Sequence, residues 1–161
     1  MGDASLDVDL GAQVLSVQEG GRTAARYAVS TAARGAGEHE GSLCTPRGRH
    51  VIRAMIGRGA PLGTVFVARR PTGEIYTPEL GQAHPGRDWI LTRILWLSGT
   101  EPGFNRLGAV DTMRRYIYIH GTPDETTLGA PGSHGCIRMG NADIVALFER
   151  ARPGTPVRIH E

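Results

Sequence analysis

The stretch PGSHGCIRM, residues 131–139, brings a hydroxyl, an imidazole and a thiol together at Ser133, His134 and Cys136. Pro131, Gly132 and Gly135 are turn formers, and Gly135 allows a sharp bend before Cys136 without a Cβ penalty. Such a bend projects the sulfur and lets successive amide N–H groups converge on one point, as the oxyanion of an acyl-transfer intermediate requires. A second imidazole, His120, lies fourteen residues before His134 and ends the run RRYIYIH (114–120), whose alternation predicts a strand. A thiol of pKa about 8.5 is only a few per cent ionised at neutral pH, so as a nucleophile it needs a base. An imidazole fixed at a strand end supplies one, and the pair His120 and Cys136 predicts a cysteine–histidine acyl-transfer site.

A zinc site using His120, His134 and Cys136 is the competing chemistry, since three ligands and an open position suit a catalytic metal. No CxxC or HExxH spacing accompanies them, and His134 and Cys136 would crowd one vertex of a tetrahedron. The expectation is therefore no metal and no cofactor.

Downstream of the motif, Asn141 is the expected N-cap of a helix over ADIVALFERA (142–151), which Pro153 and Gly154 end before a last strand, TPVRI (155–159). Upstream, SLDVDL (5–10), AQVLSV (12–17) and ARYAVST (25–31) read as antiparallel strands, with EGGR (19–22) as a turn signal. Residues 32–50 are rich in turn formers and too long for a tight turn, so they read as a candidate functional loop. Strands are expected at 51–57 and 64–69, and DWILTRILWL (88–97) is a buried strand or a short helix, which periodicity alone does not decide. With no repeat or linker to divide it, the chain reads as one mainly β domain over residues 1–161.

Composition narrows the function classes. The 18 basic residues are all arginine, scattered and nearly balanced by 16 acidic ones, which is not a nucleic-acid footprint. No apolar run approaches the roughly 20 residues that span a bilayer, so no transmembrane segment is expected. The opening residues lack the basic and apolar regions of a secretory signal, so the sequence as written reads as cytoplasmic, or periplasmic if a leader has been removed. Cys44, in GSLCTPRG, reads as a small semi-buried residue beside a turn rather than as a disulfide partner of Cys136.

The segment IHGTPDETTLGAPGSHGCIRMGNADI (119–144) closely resembles the signature of the L,D-transpeptidase (YkuD-like) catalytic domain. AVST (28–31) and GSLCTPRGRHVI (41–52) extend the resemblance over nearly the whole chain. It implies a mainly β, β-sandwich-like fold with a short helix after the catalytic motif. It also implies a cysteine that attacks the bond between the third residue of a peptidoglycan stem peptide and its terminal D-alanine. Carried over by position, Cys136 is the nucleophile, His120 the base and the Gly121 carbonyl its orienter, with Gly135 as the enabling bend and His134 shaping the pocket and supporting the thiolate. Ser133 and Arg138 are candidate substrate contacts, or else a loop stabiliser and a surface ion pair. The implied partners are stem peptides. Without an export signal the expected activity is an L,D-carboxypeptidase of cytoplasmic muropeptide recycling. Alternatives are 3→3 cross-linking in the periplasm and, from another class, a non-catalytic muropeptide-binding domain. The extended middle, residues 69–115, departs from exported members and is expected to reshape the cleft.

Overall fold

The computed structural model describes residues 3–161; Met1 and Gly2 of the expected domain lie outside the described residues. The chain begins with three antiparallel strands, β1 (Ser5–Asp9), β2 (Val14–Glu19) and β3 (Arg22–Ser30). Alternation makes them strands: Leu6 and Val8 of β1 and Leu15 and Val17 of β2 turn inward and are buried, while their neighbours face outward. After the long loop come β4 (Gly48–Ile56), the hairpin β5 (Thr64–Val67) and β6 (Arg70–Ile75), and a short helix α1 (Pro78–Ala83) capped by Thr77. Residues 90–99 resolve the ambiguous apolar run as a strand, β7 (Ile90–Gly99). β8 (Tyr118–Gly121), β9 (Ile137–Met139), helix α2 (Asn141–Arg150) and β10 (Pro156–His160) complete the fold.

All ten strands join one sheet in the order β4-β10-β1-β2-β3-β9-β8-β7-β5-β6. A further pairing of β4 with β7 closes eight of them into a ring, from which the β5–β6 hairpin projects. Most pairs are antiparallel; β1–β10 and β8–β9 are parallel. One core, drawing Val8, Leu15, Val29, Ile52, Leu97 and Ile119 from around the ring, fills the interior together with Ile144, Leu147 and Phe148 of α2. The mainly β, sandwich-like fold with a short helix after the motif is thus observed.

Three local expectations are corrected. The run 114–120 is a strand only from Tyr118; Arg114–Tyr116 form a turn in which Tyr116 has φ +56°, so clean alternation there marked a turn feeding a strand. The expected strand 64–69 breaks at Ala68 and Arg69, the two-residue turn of the β5–β6 hairpin. Gly140, not Asn141, is the N-cap of α2 and, lacking a side chain, gives no side-chain cap, while the Asn141 amide is bonded elsewhere. Asn141 Nδ2 donates to Thr122 O at 3.0 Å and Asn141 Oδ1 accepts from Thr92 Oγ1 at 2.5 Å, which ties α2 to β7 and to the end of β8.

Candidate active site

β8 and β9 lie side by side in parallel, His120 opposite Arg138, so the end of β8 and the loop entering β9 meet at one place. There a cleft of about 510 Å³ is lined by His120, Ser133, His134, Cys136 and Arg138. Five of the seven expected site residues therefore border one cavity; Gly121 and Gly135 stand behind it, as backbone.

His120 is fully buried, and its Nδ1 lies 2.7 Å from the Gly121 carbonyl oxygen. A carbonyl can only accept, so Nδ1 carries the proton and Nε2 presents a lone pair. Nε2 is buried and has no hydrogen-bond partner among the described residues, a rare state for a polar atom away from water. Burial holds the His120 imidazole below its ordinary pKa, so it rests neutral. Close packing fixes the carbonyl that orients it: a Cβ on Gly121 would lie 2.5 Å from Asn141 Oδ1 and 2.6 Å from Leu91 O.

Cys136 sits half-buried at the mouth of β9. Its Sγ accepts from the Tyr118 N–H at 3.3 Å and donates to the Tyr116 carbonyl at 3.4 Å. Withdrawal from water pushes the thiol pKa up to about 12, against the opposing effects of the Tyr118 N–H and the nearby arginines. The cleft therefore rests with a neutral thiol and a neutral imidazole.

Gly135 adopts φ +131°, and a Cβ there would meet Ile117 Cδ1 at 3.1 Å and Cys44 O at 3.2 Å, so conformation and space both call for glycine. Ser133 is buried and works within the loop: its Oγ donates to Cys136 O at 2.5 Å and accepts from Gly135 N at 3.1 Å. That bond removes one of the expected oxyanion donors and leaves the amides of His134 and Cys136 unpartnered in the turn. Arg138 bonds Gly132 O at 3.0 Å and Asp88 Oδ1 at 3.1 Å, the loop and ion-pair roles weighed against substrate contact. His134 is exposed at the rim. Cys44 is a free thiol in the loop behind, where Thr45 Oγ1 donates to Gly135 O at 2.8 Å. Among the described residues no cluster of three His, Cys, Asp or Glu is arranged to hold a metal ion.

The rest of the cleft lining was not anticipated residue by residue. Ala68, Arg69, Asp88, Arg115 and Tyr116 come from the middle segment or its borders, and Tyr118 from the start of β8. Ala68, Arg69 and Tyr116 have φ of +49°, +65° and +56°, left-handed conformations that cost a non-glycine residue about 1 kcal/mol or more each. Arg115 spans the loop behind the nucleophile, reaching Gly37 O and Glu38 O at 3.3 Å and Cys44 O at 2.7 Å. The signal in the sequence was the length of the insertion, not the identity of these residues.

Known proteins agree with this architecture. The family model of the L,D-transpeptidase catalytic domain, YkuD, matches residues 3–159. Among solved structures, the chain is similar to an L,D-transpeptidase from Mycobacterium smegmatis, with 17% identity, a TM-score of 0.59, and coverage of 99% of this chain and 59% of that one. It is similar to L,D-transpeptidase 3 from Mycobacterium tuberculosis in complex with a faropenem-derived adduct, at 13% identity and a TM-score of 0.61, covering 99% and 61%. A third likeness is to an L,D-transpeptidase (Yku) from Stackebrandtia nassauensis, at 19% identity and 0.56, covering 100% and 56%. The chain thus spans about three fifths of the length of these structures, and at such identities the likeness is one of fold. No curated protein sequence matches it. With the family model covering nearly all of its residues, the chain belongs to the L,D-transpeptidase (YkuD) catalytic domain family.

Proposed function

We propose that the protein forms a cysteine acyl-enzyme on peptidoglycan stem tetrapeptides and cleaves the bond between the third residue and the terminal D-alanine. The observation that carries this reading is the buried, unpartnered Nε2 of His120 in the cleft that holds Cys136 Sγ. Substrate binding excludes water, and Nε2 takes the thiol proton as Sγ attacks the carbonyl carbon of the third residue. The developing oxyanion is met by amides of the Ser133–Cys136 turn, each such donor being worth about 3 kcal/mol in the transition state. The C–N bond then breaks as His120 returns the proton to the leaving amine of D-alanine, and a thioester remains on Cys136. In the second half, His120 deprotonates the acceptor, which attacks the thioester and regenerates the thiol. The Gly121 carbonyl steadies the imidazolium that exists between these steps.

With water as acceptor the product is a tripeptide and the activity an L,D-carboxypeptidase. With an amine of a second stem it is a 3→3 cross-link. Hydrolysis asks for nothing beyond this cleft and is the primary reading; in the cytoplasm it would trim soluble stem peptides, whereas in the periplasm wall amines would compete. Mass spectrometry of products from a purified tetrapeptide, with and without excess second stem, tests it. Tripeptide and free D-alanine in both mixtures are expected; a dimer joined through third residues would replace hydrolysis by transfer. Loss of neither product in the Cys136→Ala protein would overturn the mechanism. Because a relative in this fold carries a faropenem-derived adduct, a penem or carbapenem is also expected to add its mass to Cys136. A pure binding module would not react.

A further inference from the structure

Three guanidinium groups border the cleft, and two are occupied. Arg138 is held by Asp88 and Gly132, and Arg115 by oxygens of the loop at 37–44. Arg69 donates a single bond, from Nη1 to the Tyr118 phenol at 2.9 Å, and among the described residues no carboxylate pairs with it. Its guanidinium carbon lies 4.7 Å over the Trp96 ring and 5.1 Å over the Tyr116 ring. Such stacking fixes the plane of the group but leaves its in-plane N–H donors unfilled. The hairpin tip that presents it, Ala68–Arg69, has φ > 0 at both residues, as a two-residue hairpin turn requires, and its platform residue Tyr116 is also at φ > 0. A solvated surface arginine would not need the platform. Tyr118 links this charge to the chemistry: its N–H donates to Cys136 Sγ while its phenol accepts from Arg69.

We propose that Arg69 is a specificity-determining residue, whose free guanidinium edge receives a carboxylate of the donor stem peptide while the sulfur attacks. The inference rests on the stem-peptide reading above. Two carboxylates qualify: the terminal one on D-alanine and, where the third residue carries an acidic side chain, the one at that side chain's end. One tyrosine side chain separates the hydrogen bond to sulfur from that to Arg69, a separation that suits a long side chain better than the terminal carboxylate, which lies next to the scissile bond. A planar fork on a fixed platform is built for bidentate recognition of either.

Calorimetric titration of the Cys136→Ala protein, with and without Arg69→Gln, tests this without turnover. Three ligands are used: a tetrapeptide with an acidic third residue, the same peptide amidated at that side chain, and the same peptide amidated at its C-terminus. Arg69→Gln is expected to weaken the acidic peptide by about tenfold or more, and to leave unaffected the peptide whose recognised carboxylate is amidated, which identifies the carboxylate. Arg69→Lys, which keeps the charge without the fork, should recover part of the loss. Equal weakening of all three peptides marks a structural role for Arg69 and overturns the inference, as does no weakening. If no peptide binds the Cys136→Ala protein, the stem-peptide reading fails and takes this inference with it. D-alanine release by the parent protein together with Arg69-independent binding removes the inference alone.

Discussion

The two walls of the cleft are built in opposite ways. On the β8–β9 side, His120, Ser133 and Gly135 are buried among satisfied hydrogen bonds, while the Nε2 lone pair of His120 and the amides of His134 and Cys136 stay open. On the facing side, Ala68, Arg69 and Tyr116 stand in strained backbone, and Tyr116 is 54% exposed. The first wall is rigid where bonds are exchanged. The second holds its strained backbone at the residues proposed to receive a ligand, and such outliers often gather in binding sites. Fixed geometry and a presented surface are carried by different elements, His120 by β8 and Arg69 by the β5–β6 hairpin, and Tyr118 of β8 joins them through its bonds to Cys136 Sγ and Arg69.

That contrast can be broken most sharply at its rigid side. Cys136→Ala should abolish D-alanine release while leaving the melting temperature nearly unchanged, and His120→Gln should lower kcat about 10³-fold or more, measured as product against time. Gly121→Ala should cost about 3 kcal/mol in denaturant unfolding, because the new methyl meets backbone and Asn141 rather than a movable side-chain end.

Acid should act on the base of the other wall. His50 on β4 is buried, with Nε2 2.9 Å from Thr112 Oγ1, which anchors the turn leading to Tyr116. Burial lowers its pKa from 6.5 to about 4, so as pH falls through 6.5 the unfolded chain takes up a proton that the folded one refuses. Stability from this residue is intact above pH 6.5 and declines by about 3 kcal/mol towards pH 4, a loss that His50→Gln should largely remove in urea titrations at the two pH values. Thiol chemistry gives the reverse dependence: with its pKa near 12, Cys136 should alkylate slowly with iodoacetamide at neutral pH and faster at each step towards alkaline pH. The smallest effect belongs to the strained tip, where Ala68→Gly should raise stability by about 0.5 kcal/mol, relief of φ +49° being partly offset by glycine's greater entropy when unfolded.

The same division explains what the sequence made legible. Period-two alternation marked β1 and strand-like runs with a turn signal marked β2 and β3, and the SHGC turn with an upstream strand-end histidine marked the candidate reacting residues, because those roles demand particular residue types at particular spacings. Arg69 was hidden because nothing in ARRPTG (68–73) says that its hairpin folds back over a cleft made by residues some fifty positions away. Asn141 misled for a related reason: a good capping residue beside a helix was recruited by Thr92 and Thr122, long-range partners that outweighed the local one. The turn at 114–116 was masked by apolar and polar alternation continuous with the strand after it.

Ring closure bears on how such a chain comes off the ribosome. β10 is held between β1, in parallel, and β4, in antiparallel register, yet it follows both in the sequence and is made after them. Until it emerges, a nascent chain carries two unpaired edges on the strands that open and flank the fold, and those edges are open to any other extended segment. Closure therefore joins strands far apart in the sequence, and shelter by a chaperone during synthesis should raise its yield.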